Sequence, residues 1–406
     1  MTRDQRKPTR TMRGKILAIL ALVLLALVVK HLVTKPVVRF TLGPGFELVT
    51  ARGVDGFAVR EDDGLWRLYD SRSRSRSDGL LLPTPVIGRP ALQKDGSAYV
   101  LTDQGLYWMH GGQQIVPGGE IVQILPADEL PSGARLEGVV NGLEPILSGT
   151  SGESRKLWIC RGGPITDVNL YPLMTGEGDA RVPEGSPILC ASNRRALAFL
   201  GAEGWEAWVL GKNVNSTRFM AEGCDSPAAV FTPDATGLIV EGREDGLWTL
   251  SLEDGRVDFM ADGNFGLSRR LDPSFGFRFE PERLVAPTWG LDGWLQIYQT
   301  HLGGGGRWAF SVGFLHHYAV ATSLDGRFLV YAQAEFEERG DDAFDEDLYV
   351  FDFARPASPA TLIGSRTGGM RGQGPAFIGN GASLVFLADG VTYRSELLIP
   401  VEPEDR

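Results

Sequence analysis

The chain has 406 residues, 43% hydrophobic and 22% charged, with 52 glycines. That composition argues against disorder, and the glycine content argues against a helical fold, where glycine is costly. A formal charge of −11 argues against a nucleic-acid partner, which needs a basic surface.

Residues 1–15 hold Arg3, Arg6, Lys7, Arg10, Arg13 and Lys15 against one acid, Asp4, and Ile16 to Val29 follow as 14 unbroken apolar residues. A basic segment before an apolar run is the pattern of a signal sequence or signal anchor. A membrane span needs about 20 residues. Lys15 and Lys30 can extend their charged ends to the interfaces, which lets Gly14 to Val33 reach across. Lys30-His31-Leu32-Val33-Thr34 offers no small-residue cleavage site, so an uncleaved transmembrane helix over 16–33 is expected in preference to a cleaved signal. The excess of basic residues assigns 1–15 to the cytoplasm and everything from residue 36 onward to the other side. The expected location is the inner membrane, single-pass, with the bulk of the chain in the periplasm.

From Pro36 the pattern changes to short apolar runs separated by turn residues. The clearest unit is Ala229 to Arg256, AVFTPDATGLIVEGREDGLWTLSLEDGR. It predicts a strand, a turn at Pro233-Asp234, a strand over Leu238–Glu241, a turn at Asp245-Gly246, a strand over Leu247–Leu252, and a fourth strand after Asp254-Gly255. The first turn recurs at Asp55, Asp95, Asn141, Asn193, Asp234, Asp292, Asp325 and Asn380. A second turn follows each, and then a strand bearing Trp66, Tyr107, Trp158, Trp208, Trp248, Trp308, Tyr349 or Tyr393. The steps between these aromatics are 41, 51, 50, 40, 60, 41 and 44 residues. A period of 40–50 residues marks a propeller or solenoid. The expected fold is all-β: a β-propeller over 37–402 with seven or eight four-stranded antiparallel blades, eight by the number of matches. The aromatics are expected to fill the space between blades, and the Asp and Asn residues to serve turn chemistry. Val37–Leu42 is an extra strand that would complete the last blade and close the ring.

The unit FTPDATGLIVEGREDGLWTLSLEDGR resembles the TolB-like, WD40-related (PD40) propeller repeat, well at 229–256 and 319–353 and partially elsewhere between about 45 and 398. The resemblance implies an extracytoplasmic interaction module. The α/β domain that precedes the TolB propeller has no counterpart, and the membrane anchor stands in its place. The chain also lacks the G-x-S-x-G elbow of hydrolases that carry propellers.

Two loops carry candidate chemistry. Residues 335–347, EFEERGDDAFDED, include Glu337, Glu338, Asp341, Asp342, Asp345 and Asp347. Hard oxygen ligands of this kind suit Ca²⁺, with Asp341, Asp342, Asp345 and Asp347 as the metal candidates, although the spacing is not that of an EF-hand. A solvated acidic loop, or a surface for a basic partner through Glu337 and Glu338, is the other reading. Residues 71–77, SRSRSRS, would place Arg72, Arg74 and Arg76 on one side of an extended chain, as a solvated loop or a site for an anionic glycan or lipid headgroup. His316 and His317 are adjacent and would face opposite ways in a strand. Cys160, Cys190 and Cys224 form no CxxC pair, so structural zinc is not expected. No cofactor and no catalytic group are expected. The expected function is a membrane-anchored scaffold that binds other envelope proteins. A glycan or small-ligand binding protein, and a propeller-type lyase or hydrolase, are the alternatives.

Overall fold

The computed structural model describes residues 37–51, 54–110, 120–161, 168–176, 178–211, 216–224, 229–232, 234–242, 246–262, 278–280, 283–289, 295–301, 306–311, 320–323, 327–334, 346–352, 361–364, 375–379, 383–388 and 390–397. The expected anchor over 16–33 lies outside them. Among the described residues no helix is long and apolar enough to cross a membrane.

The described strands form an all-β propeller of antiparallel blades, eight sheets in all among these residues, each taking four strands in chain order from first to fourth. Blade 1 is Glu47–Val49, Gly56–Arg60, Trp66–Asp70 and Leu80–Leu81, and blade 2 is Ala91–Leu92, Ala98–Thr102, Gly105–His110 and Glu120–Pro126. Blade 3 is Arg135–Val140, Glu144–Ser151, Ser154–Arg161 and Asn169–Pro172, and blade 4 is Ile188–Cys190, Ala196–Leu200, Gly204–Leu210 and Ser216–Glu222. Blade 5 is Ala229–Phe231, Gly237–Glu241, Gly246–Ser251 and Val257–Asp262, and blade 6 is Arg278–Glu280, Arg283–Trp289, Leu295–His301 and Gly306–Ser311. Blade 7 is Val320–Thr322, Phe328–Ala334, Glu346–Asp352 and Thr361–Gly364. Blade 8 takes Ala376–Ile378, Ser383–Ala388 and Val391–Leu397, and its fourth strand is Val37–Pro44 from the other end of the chain. This closing strand runs antiparallel to the third, from Val37 opposite Leu397 to Pro44 opposite Val391.

Burial explains why these segments are strands. Second strands such as Ala98–Thr102 and Gly237–Glu241 are buried along their whole length, because a blade has a neighbour on both faces. Fourth strands such as Glu120–Pro126 are mostly exposed and alternate in polarity. The cores lie between blades. Trp66 and Leu68 of blade 1 pack with Val100 and Met109 of blade 2. Tyr99 and Leu106 meet Val139, Leu147 and Cys160 of blade 3, and Trp205 meets Leu238 and Leu250 of blade 5. Phe386 and Val330 close the sequence of interfaces against Phe57 and Tyr69 of blade 1.

The first turns serve as expected and also bond to one another across blades. Gly379 N–H donates to Val54 O (2.8 Å), and Asp55 N–H to Lys94 O (3.2 Å). Gln93 Nε2 donates to Leu143 O (3.4 Å), Asn141 N–H to Ala191 O (3.0 Å), and Arg194 Nη1 to Ala235 O (3.0 Å). The chain of bonds links the first turn of blade 8 to that of blade 5 through each blade between. Gly96 sits within it at φ +85°, where an added Cβ would lie 2.7 Å from Asp55 O. The aspartates do turn chemistry: Asp95 accepts from Ser97 N–H at 2.9 Å and Asp234 from Thr236 N–H at 3.1 Å.

Two units depart from the expected pattern. In blade 6, Asp292-Gly293 falls between the second and third strands, not the first and second, and Trp308 lies on the fourth strand. The third-strand aromatic there is Tyr298, paired in register with Trp308. With Tyr298 in place, the step from Trp248 becomes 50 and the step to Tyr349 becomes 51. In blade 3 an added strand, Arg181–Pro183, pairs with the third strand beside Asn169–Pro172, after a small hairpin of Met174–Thr175 and Gly178–Asp179. Leu173, Ala180 and Val182 of this insertion are buried against Leu197 and Phe199 of blade 4. Trp158 is accordingly half-buried under Lys156 Nζ at 5.5 Å, not part of an interblade core.

Candidate interface at the ring seam

The segment 71–79 joins the third and fourth strands of blade 1. It is not the extended chain that the Ser-Arg alternation suggested. Asp70 Oδ1 accepts from Arg72 N–H (2.8 Å) and Ser73 Oγ (3.0 Å), which turns the chain back. Asp78 Oδ2 then accepts from Arg74 N–H (2.7 Å) and Ser75 N–H (2.9 Å) and sets a single 3₁₀ turn over Arg76–Asp78. Burial opposes the Asp78 charge, but the donors on Arg74 and Ser75 win and hold its carboxyl below the usual aspartate range. The loop therefore projects its arginines in different directions.

The loop also fastens the closing strand. Arg76 Nε and Nη2 donate to the two oxygens of Glu61 at 2.9 and 2.6 Å, and Arg67 Nε donates to Oε1 at 2.8 Å. Glu61 is 2% exposed, so this pairing supports a carboxylate that burial alone would not tolerate. The stem of Arg76 lies against Gly43 at φ +123°, where a Cβ would meet Cδ at 3.1 Å. Arg74 lies over the Phe40 ring at 5.3 Å and 3.9 Å from Glu396. Arg394, 2% exposed, lies over the same ring at 5.4 Å. Its Nη1 donates to Ser73 O (3.2 Å), and its Nη2 to Ser383 Oγ (3.1 Å) and Glu396 Oε1 (2.8 Å). On the other face of the strand, exposed Arg39 lies over Tyr393 at 4.5 Å.

Arg74 and Arg76 are thus brought together at the seam, and Arg72 stands exposed at the start of the same loop. Arg39, Phe40, Arg394 and Glu396 complete the surface. Sequence reasoning identified the closing strand but not these partners, since nothing local links residue 40 to 74 or 73 to 394. Of the acidic candidates, Glu337, Glu338, Asp341, Asp342 and Asp345 lie outside the described residues, as do His316 and His317. Asp347 falls in the third strand of blade 7, opposite Gln333. Among the described residues no group of three or more His, Cys, Asp and Glu side chains is placed to hold a metal.

A second polar cluster lies at the opposite end of the strands, where blade 8 passes into blade 1. Glu47 accepts from Arg60 at 2.9 Å and Arg89 at 2.5 Å, and Arg60 lies over Phe46 at 4.9 Å. Phe46 is 62% exposed. Among the described residues His110 stacks on Trp108 at 5.9 Å, and Trp108 Nε1 donates to Gln93 Oε1 at 2.9 Å. Neither arrangement joins a nucleophile to a base. Burial pushes the Cys160 thiol up to about 12 and raises that of Cys190 further, which leaves both as unreactive thiols.

The WD40 domain of SCAP from fission yeast aligns over 89% of this chain and 97% of its own length, with a TM-score of 0.57 at 10% identity. The fold is that of a WD40-like β-propeller. The dihydro-heme d1 dehydrogenase NirN, in complex with DHE, covers 84% of this chain and 69% of that one at TM-score 0.48 and 16% identity. The Cps50 (Swd1) β-propeller domain of Myceliophteria thermophila covers 88% and 98% at TM-score 0.44 and 11% identity. No protein-family model and no curated protein matches the chain. At these identities the WD40-like propeller is a likeness of fold alone.

Proposed function

We propose that the chain is a membrane-anchored extracytoplasmic propeller of the TolB-like repeat class that serves as a protein-interaction module of a cell-envelope complex and catalyses no reaction. The observation that carries this reading is where the chain enters the ring. The apolar run ends at Val33, and the closing strand begins at Val37. Four chain steps span at most about 14 Å, so a helix over 16–33 would hold the seam close to the bilayer. The rest of the surface suits recognition by rigid display. Its ion pairs, such as Glu144 with Arg161 and Arg195, tie one blade to the next. Exposed apolar side chains stand apart from the cores, among them Phe46 and the outer-strand residues Ile121, Tyr171 and Phe259.

Two measurements on intact cells test the proposal. The full chain should stay in the membrane pellet after alkaline carbonate washing, and protease should reach the propeller only after the outer barrier is opened. Release by carbonate, or protection in spheroplasts, would overturn the anchoring. A photocrosslinker at Phe46 should capture one defined envelope protein. Recovery of the chain alone, together with binding to an immobilised glycan, would overturn the scaffold role.

A further inference from the structure

Resting on the anchored reading above, we infer that the arginine-bearing seam is a docking surface for the anionic phospholipid headgroups of the bilayer that holds the anchor. The chain is markedly acidic apart from its first 36 residues. Those hold eight basic side chains and one acid, so the remaining 370 carry a formal charge of −18. A body of that charge is repelled by an anionic surface. Basic side chains elsewhere face a carboxylate: Arg135 with Glu184 at 2.8 Å, Lys156 with Asp179 at 2.8 Å, Arg218 with Glu206 at 2.8 Å, Arg256 with Asp258 at 2.7 Å and Arg327 with Asp352 at 3.0 Å.

The seam departs from this balance. Arg39, Arg72, Arg74 and Arg76 are all exposed, with the Arg74 side chain at 67% and that of Arg76 at 50%. The nearby acids are turned inward. Glu61 is buried beneath Arg67 and Arg76, and Glu396 is held by Arg394. Asp70 and Asp78 accept backbone N–H groups of the loop itself. What the seam presents outward is guanidinium on both sides of an aromatic, Phe40, in the strand that follows the apolar run. Chain geometry brings these groups to within about a Debye length of the headgroups. There each arginine strengthens association about fivefold. Guanidinium also suits phosphate by its paired donors. The seam would thus set the tilt of the propeller on the membrane, while the anchor sets its distance.

The test uses the full chain carrying Thr41→Cys labelled with an environment-sensitive fluorophore, in vesicles of phosphatidylcholine or of phosphatidylglycerol. Thr41 is exposed on the closing strand. Quenching by a headgroup-linked quencher should be strong in phosphatidylglycerol, weak in phosphatidylcholine, and reduced by salt. Arg39→Glu with Arg74→Glu should lower it to the phosphatidylcholine level, while carbonate resistance stays unchanged. Equal quenching in both lipids, or no response to charge reversal, overturns the docking surface and leaves the anchor intact. If carbonate extracts the chain, the anchored reading fails instead. Cosedimentation of the extracted chain with phosphatidylglycerol vesicles then decides the seam: binding lost on charge reversal supports it, and no binding overturns it.

Discussion

Asp78 is the residue on which the arginine loop turns. Its carboxylate ties two consecutive N–H groups, and its folded-state pKa lies below the ordinary aspartate value. A group depressed in this way contributes stability above its unfolded pKa, and that contribution is lost as pH falls through the folded value. Hydrogen exchange at the amides of residues 74 and 75 should therefore stay slow from neutral pH down to about pH 4 and rise below it, once the intrinsic pH dependence of exchange is removed. Asp78→Asn should give the faster exchange at every pH. Glu61 works by a different balance, since it is buried between two arginines. Glu61→Ala leaves Arg67 and Arg76 without their acceptor and should cost about 3 kcal/mol in urea unfolding. Arg76→Ala should cost less, because Arg67 still pairs with Glu61 and the Arg76 side chain is half exposed.

Among the elements, the first turns have the strictest requirements. Gly96→Ala must take a positive φ and crowd Asp55 O. A loss of about 1–3 kcal/mol is expected, against a few tenths for Gly64→Ala beyond its own backbone strain, since nothing crowds that position. Urea midpoints of the two variants make the comparison. The same turns show how far the elements were legible. Their Asp, Asn and Gly residues are local in their effect, so strand, turn and blade could be read from short windows. The frame failed in blade 6 because Asp292-Gly293 is a second turn written in the letters of a first. It blurred in blade 3, where an inserted hairpin also feeds the core. The seam surface was hidden for another reason. The arginines show in the sequence, but their neighbours Phe40 and Arg394 reach them only through ring closure, as in the bond from Arg394 to Ser73 O.

At the scale of the whole molecule, the three cysteines report on the spaces between blades. Cys160 lies in the core between blades 2 and 3 and Cys224 in that between blades 4 and 5. Cys190 packs on the core between blades 3 and 4, with Sγ 2.9 Å from where a Gly138 Cβ would be. All three are free thiols. With the Cys160 pKa near 12 and that of Cys190 higher, neither should react with a thiol reagent at pH 8 in the native state. Labelling should rise only with denaturant, in step with the loss of tryptophan fluorescence. Prompt labelling in buffer would mean that blades separate without global unfolding.

The closing strand also fixes a timetable. Val37–Pro44 leaves the ribosome near the start of synthesis, and its partner Val391–Leu397 comes last, some 360 residues later. At about 5–20 residues per second, the first-made strand waits roughly twenty to seventy seconds for its hydrogen bonds. Throughout that interval the nascent molecule is an open arc with two bare sheet edges, each able to recruit a foreign strand. Early capture of the N-terminal segment by a membrane would keep one of those edges at a surface and away from other unfinished chains.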